Sequence, residues 1–494
     1  MNDAQDSTDL EARKAAVLSA VPSELLVGGW RPSSDGTRFP VTDPATGETL
    51  MEVADGTPAD ALEALERAVA AEPEWRSATP YDRGELLDKA AKLIWSHRDE
   101  LGLLITLEMG KPLTEALGEV QYGCDYLRWY ADEAVRTNGR RQSNPRGGWD
   151  IVTYFEPVGP SLLITPWNFP LAMALRKLAP ALAAGCSAVL KPAALTPLAS
   201  LYAAKLMLEA GIPVGLINVV ASTSAGAVSE ALMADPRLRK VSFTGSTEVG
   251  QILLAQASRG ILRTSMELGG NAPFMVFDDA DLDAAADGAM VAKFRNNGES
   301  CVAGNRFLVQ SSIAEDFIQR LLERLDGMVV GPGTAPGVQL GPMISAAEAE
   351  KINGLVEGAI AAGARERFRG EAPWEPGTYV PPIVIDQVSP ETEIWNREIF
   401  GPVISITTFD TEDEAIALAN DTPYGLAAYV FCQGLDRCRR VVAGLDTGMV
   451  GVNQGIVSSV AAPFGGIKMS GLGREGGAEG LAEYLNCKYV AQSG

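Results

Sequence analysis

Between Pro160 and Leu268 the chain alternates short, almost wholly apolar runs with stretches of helical length. SLLIT (161–165) is followed by LAMALRKLAPALAAG (171–185), and SAVLK (187–191) by TPLASLYAAKLMLEA (196–210). LINVV (216–220) precedes AGAVSEALMA (225–234), and KVSF (240–243) precedes TEVGQILLAQA (247–257). Runs this short without polar alternation read as strands buried on both faces, and intervening helices imply a parallel sheet covered on both sides. Such sheets hold ligands beyond the carboxyl ends of their strands, so the loops after each run are where function is sought. A second α/β pattern runs from Gly269 to Gly451 and contains PFMVF (273–277), RFLVQ (306–310) and VISITTF (403–409). A chain of 494 residues exceeds what one hydrophobic core usually serves, and two or more lobes are expected.

The flanks follow other periods. Thr57–Pro58 opens an amphipathic helix with Leu62, Leu65 and Val69 on one face, and helical periodicity continues from Tyr81 to Ala134. Residues 135–150, rich in glycine, asparagine and arginine, read as a loop. IVTYFEPVG (151–159) then alternates as a strand, and EYLNCKYVAQ (483–492) ends the chain as another.

Charge and residue counts exclude several functions. A formal net charge of −22 leaves no basic stripe to displace counterions from phosphate, so nucleic acid is not an expected partner. The same field repels small anions, and an anionic substrate would need local arginines. Six cysteines without a CxxC pair suit reduced thiols in a cytosol. No run of ~18 apolar residues and no signal-peptide pattern occurs, so a cytoplasmic protein without membrane contact is expected. The single histidine, His97, reads as a half-exposed helix residue. With one imidazole a multi-histidine metal site is excluded, and no metal is expected; a nucleophilic cysteine would more naturally use a carboxylate as its base.

One thiol stands out. FRNNGESCVAGNR (294–306) surrounds Cys301 with small, polar and glycine residues. GLGREG (471–476) matches a dinucleotide fingerprint but follows no strand and leaves eighteen residues after it; it reads as a loop. FTGSTEVG (243–250) sits where a strand hands over to a helix, so Gly245 and Ser246 are placed either to receive a pyrophosphate or simply to cap the helix. TPWNFP (165–170) fixes Asn168 between prolines after a strand, MELGGNAP (266–273) sets Glu267 before a glycine pair, and EIFGPV (398–403) carries Glu398 and Phe400.

TPWNFP, FTGSTEVG, ELGG, GESC and EIFGPV, in this order, resemble the aldehyde dehydrogenase superfamily over nearly the whole chain. The resemblance implies an α/β fold with three parts. These are a parallel-sheet cofactor domain (1–134 and 159–268), an α/β catalytic domain (269–451) and an oligomerisation β-flap (135–158 and 478–494), in a homodimer or homotetramer. It implies Cys301 as nucleophile, Glu267 as general base and Asn168 as oxyanion donor. NAD(P) contacts would come from Thr165, Trp167, Lys191, Gly245, Ser246, Glu398 and Phe400. ELGGNAPFMVFDDADLD (267–283), GMVGVNQGIVSSVAAPFGG (448–466) and Arg176 are most similar to the succinate-semialdehyde branch, in which Arg176, Arg295 and Ser458 would hold a distal carboxylate. Glutarate semialdehyde or uncharged aldehydes are the alternative substrates; an inactive binding protein or a thiol hydrolase are alternatives of other classes.

Three positions depart from the family pattern. Glu299 replaces the usual glutamine, and its acid would raise the thiol pKa if it faced Cys301. Ala303 excludes a Cys-x-Cys switch. Ala194 stands where NAD-preferring relatives often carry glutamate, so NADP is expected to be accepted, with NAD still possible.

Overall fold

The structure, a computed structural model, describes residues 3–493. The outermost ends of the expected parts, residues 1–2 and 494, lie outside the described residues. The apolar runs form the middle of an eight-stranded sheet in the order Arg263–Glu267, Lys240–Thr244, Ser161–Ile164, Ala188–Lys191 and Ile217–Val219, all parallel. Antiparallel edges come from Gly471–Leu472 on one side and from Leu25–Leu26 with Trp30–Arg31 on the other.

Strand order positions everything that follows. From Ser161–Ile164 the chain winds outward through two strands, then returns to lay Lys240–Thr244 against the other side of the first. Loops leaving two adjacent strands in opposite directions open a crevice between them, a topological switch point. The loops at this one are Thr165–Leu171 and Gly245–Ser246.

A second sheet of seven strands has Ala272–Val276 and Gly304–Gln310 at its centre, parallel to Val403–Phe409 and Ala427–Phe431. Its core is aromatic: the Phe274 ring lies 4.8 Å from Phe307, 4.9 Å from Phe431 and 5.8 Å from Tyr429. A third sheet joins Leu485–Gln492, Asp150–Pro157 and Arg140–Ser143. Arg140–Ser143 corrects the reading of 135–150 as a loop throughout. All four of its residues are exposed, so no buried face imposes an alternation that a sequence would reveal. Before the last strand, Gly477–Ala482 forms a short helix with Leu481 buried.

Helices Pro58–Ser77, Pro80–Ser96, Arg98–Met109 and Leu113–Glu133 fall where periodicity places them, and a helix over Asp3–Ala20 that it did not indicate precedes them. Thr57 and Asp60 close a capping box at the first of the four. His97 joins the second and third, half-buried, with Nδ1 3.0 Å from the Leu93 carbonyl oxygen. Among the described residues no helix is long and apolar enough to cross a membrane, and all six cysteines are free thiols.

A fully buried ion pair braces the switch point from below. Lys111 Nζ donates to Glu119 Oε2 at 2.5 Å and to the Asn168 carbonyl at 2.8 Å. Glu119 Oε1 accepts from Leu171 N–H at 2.9 Å and Ala172 N–H at 3.0 Å, the start of helix Ala172–Ala184. Removing one partner of such a pair strands a buried charge. E119A is therefore expected to lose about 3–5 kcal/mol of stability, read as a lower unfolding midpoint in urea. K111M/E119Q, which removes the charge and keeps an acceptor for the helix, is expected to unfold far closer to the parent.

Candidate active site

Beyond the carboxyl ends of the central strands lies a cleft with about 1080 Å³ of empty space, open to solvent. Cys301, Glu267 and Asn168 line it together. Arg176, Arg295 and Ser458 line it too, and the last two also face a second cleft that opens beside it. Trp167, Gly245, Ser246, Glu398 and Phe400 complete the wall. Thr165 and Lys191 do not line the cleft; they are buried at the ends of neighbouring strands, with Thr165 N–H donating to the Lys191 carbonyl at 3.2 Å.

The Cys301 loop is shaped by three consecutive left-handed residues, Asn296 (φ 58°), Asn297 (φ 59°) and Gly298 (φ 78°). Asparagine tolerates this conformation better than other side chains, and both amides anchor the turn. Asn296 Nδ2 donates to the Glu299 carbonyl at 2.9 Å and the Asn168 carbonyl at 3.1 Å. Asn297 Nδ2 donates to the Pro342 carbonyl at 3.1 Å, while its Oδ1 accepts from Gly341 N–H at 2.8 Å. Gly270 passes close by: a β-carbon there would stand 2.3 Å from the Cys301 carbonyl oxygen.

The thiol is half-buried. Burial pushes its pKa up to about 12, with the nearby carboxylates of Glu398 and Glu267 adding to the effect and Arg176 opposing it. Glu299 is not the acid that matters. Its side chain is fully buried and turned away, accepting from Ile344 N–H at 3.0 Å, and burial holds its carboxyl well above the usual range.

Asn168 is 5% exposed and donates one Nδ2 proton to the Glu299 carbonyl at 2.8 Å. An amide carries two such protons, which leaves one for the cleft. Glu267 is the last residue of strand Arg263–Glu267. It is 3% exposed, and neither carboxylate oxygen has a hydrogen-bond partner. Burial, reinforced by Glu475, holds it well above the ordinary carboxylate pKa, because a buried carboxylate without a partner is disfavoured.

Glu475 and Lys177 are among the residues at the site that sequence reasoning missed. Glu475 belongs to GLGREG, read only as a loop; the structure makes Gly471–Leu472 a short edge strand there and turns Glu475 into the cleft wall. Its Oε1 accepts from Lys177 Nζ at 2.5 Å, and its Oε2 lies 2.6 Å from Arg176 Nε. Burial acts to raise the Glu475 pKa, but these two cations hold it below the usual value. No local signal marks either residue. Lys177 is fully buried.

At the other end Trp167 and Phe400 meet edge to face, with centroids 5.4 Å apart. Phe400 holds φ 57°, a strained conformation for a bulky residue of the kind that clusters at ligand sites. Glu398 Oε1 accepts from Gly270 N–H at 3.2 Å, and burial pushes its pKa up to about 7. Ser246 Oγ caps helix Thr247–Gly260 through Val249 N–H at 3.4 Å. The capping reading of that serine is realised, and the same helix start faces the cleft. Thr165 and Thr244 hydroxyls are buried without partners. Lys191 Nζ donates to the Pro192 carbonyl at 3.1 Å, and burial lowers its pKa to about 8.

Comparison with known proteins agrees with this geometry. The Aldehyde dehydrogenase family model matches residues 30–490. The chain is 53% identical over 442 residues to a succinate-semialdehyde dehydrogenase of Paenarthrobacter nicotinovorans, covering 89% of this chain and 98% of that one. It is 47% identical to a probable NADP(+) succinate-semialdehyde dehydrogenase of Sinorhizobium fredii, over 92% and 93% of the two chains. The crystal structure of succinate-semialdehyde dehydrogenase from Burkholderia pseudomallei superposes with a TM-score of 0.95 at 41% identity, over 96% and 99% of the chains. The fold, the cleft and these likenesses agree: the chain belongs to the aldehyde dehydrogenase family.

Proposed function

We propose that the chain oxidises succinate semialdehyde to succinate with NAD(P), through an acyl group carried on Cys301. The observation that carries this reading is the meeting of a thiol, an unpaired buried carboxyl, an amide donor and two arginines in one cleft. The cofactor end fits a dinucleotide. Thr165 and Thr244 have unpartnered buried hydroxyls, a helix N-terminus presents Gly245 and Ser246 to the cleft, and a β-carbon at position 245 would collide with the Phe243 ring at 2.4 Å. Such a helix start favours a pyrophosphate. Lys191 would hold the adenosine ribose, and Trp167, Glu398 and Phe400 the nicotinamide riboside. Ala194 offers no carboxylate to repel a 2′-phosphate, so both NADP and NAD are accommodated.

The Cys301 thiolate attacks the aldehyde carbon, and a carbon–sulfur bond forms. The carbonyl oxygen becomes an oxyanion, received by the second Asn168 amide proton and the Cys301 backbone N–H, each donor worth roughly 3–4 kcal/mol in such a site. Bound NAD(P) supplies the acceptor for the hydride that leaves this carbon. The acyl group remains on sulfur as a thioester. Glu267, once ionised, takes a proton from water; the water oxygen bonds to the acyl carbon, the sulfur leaves, and the carboxylic acid departs. Arg176, Arg295 and Ser458 would hold the distal carboxylate, which bidentate guanidinium groups do well even inside an acidic protein.

The three-stranded sheet presents two edge strands and the exposed aromatics Trp149, Tyr154, Phe155 and Tyr489. Exposed edges call for partners. We assign it as the flap through which two or four copies assemble, with 1–134 and 159–268 as the cofactor domain and 269–451 as the catalytic domain. Free thiols suit a cytoplasmic setting.

Two outcomes test the chemistry. E267Q is expected to give one equivalent of NAD(P)H per site in a burst and then a steady rate reduced ~10²–10⁴-fold, the usual range for a general base. In the parent, kcat/KM is expected to climb from pH 6 to pH 9. Raised pKa values mean that thiolate and carboxylate fractions both grow with pH; a flat profile would contradict this. A panel of aldehydes of graded length and charge, run with each cofactor, tests the substrate. R176A and R295A are expected to lose far more kcat/KM on succinate semialdehyde than on neutral aldehydes, with NADP turned over. Equal losses would favour a broad aldehyde dehydrogenase, and a strong preference for NAD would contradict the cofactor reading.

A further inference from the structure

Phe464 and Glu475 face each other across the C-terminal loop, tied by reciprocal backbone hydrogen bonds. Phe464 N–H donates to the Glu475 carbonyl at 2.6 Å, and Glu475 N–H to the Phe464 carbonyl at 2.8 Å. Both side chains turn onto one residue, Arg176 of helix Ala172–Ala184. The guanidinium carbon lies 3.8 Å from the Phe464 ring centroid, and Nε lies 2.6 Å from Glu475 Oε2. Tyr126 walls the group at 5.6 Å. The Glu475 carboxylate cannot follow the arginine, because Lys177 Nζ holds its other oxygen at 2.5 Å and Ser242 Oγ lies 3.4 Å from the same atom.

Arg176 is 2% exposed, lines the cleft, and leaves both Nε and Nη2 without a hydrogen-bond partner, its approach to Glu475 being an ion pair. A buried donor with no partner is costly unless a ligand supplies the acceptor. Ring stacking, the ion pair to Glu475 and the backbone bridge together hold the guanidinium in place and leave Nη2 without an acceptor.

We infer that the Phe464–Glu475 bridge is a clamp that orients Arg176 toward the distal carboxylate of the substrate. Phe464 and Glu475 are then positioning residues that select aldehydes ending in an anion. The inference rests on the proposed role of Arg176 as a carboxylate donor. A planar donor recognises a carboxylate only in the correct orientation, whereas a neutral aldehyde gains nothing from it.

The experiment compares F464L, F464Y, E475Q and R176A, singly and with F464L and E475Q in the R176A background. It measures kcat/KM for succinate semialdehyde and for butanal, the neutral four-carbon aldehyde. The anionic-to-neutral ratio is expected to fall at least tenfold in F464L and E475Q, through a raised KM for the anionic substrate. F464Y restores the ratio, and neither substitution lowers it further once Arg176 is gone. F464L keeps an apolar side chain in the loop, so the test stands if E475Q, which strips Lys177 of its charged partner, fails to fold. A ratio unchanged in F464L and E475Q while R176A collapses it overturns the clamp alone. A ratio unchanged in R176A overturns both the clamp and the carboxylate role of Arg176.

Discussion

Two amide groups converge on one carbonyl oxygen. Asn168 reaches the Glu299 carbonyl from the first sheet at 2.8 Å, and Asn296 reaches it from the cysteine loop itself at 2.9 Å. Asn296 also donates to the Asn168 carbonyl, so the two loops hold each other. This knot brings a thiol from the second α/β unit to the switch point of the first. Hydrogen bonds in a water-poor interior reinforce one another, and the buried Lys111–Glu119 pair beneath adds a charged donor to the same Asn168 carbonyl. Without the knot, Cys301 would be a small thiol in a glycine-rich turn.

Charge in the cleft is arranged by the same economy. The chain is strongly acidic, yet Arg176 and Lys177 are buried side by side at the site. One carboxyl group, Glu475, sits between them and is held below the usual carboxylate pKa, while Glu267 is left with no partner and is pushed above it. Two carboxyl groups that share a site separate in this way because like charges cannot both ionise cheaply. The division gives the site a fixed anion for structure and a titratable group for chemistry.

The layout of the fold was legible because it rests on local patterns. Apolar runs marked the parallel strands, and the motifs after them marked Asn168, Glu267 and Cys301. What stayed hidden depends on partners far apart in the chain. Lys177 and Glu475 are separated by 298 residues, and nothing near either announces the other. Strand Arg140–Ser143 has no buried face to impose a period. The orientation of Glu299 is set by Ile344 N–H across the loop, which only the folded chain can reveal. Thr165 and Lys191 are buried at the ends of neighbouring strands and do not line the cleft.

If the amide knot exists to present a nucleophile, sulfur at position 301 must carry the substrate carbon. Quenching the enzyme in acid during turnover of succinate semialdehyde and mapping its peptides by mass measures this directly. The account predicts one added succinyl group, located on Cys301 and absent when cofactor is withheld. Turnover with no acyl group at that position, or a C301S enzyme as fast as the parent, would contradict it.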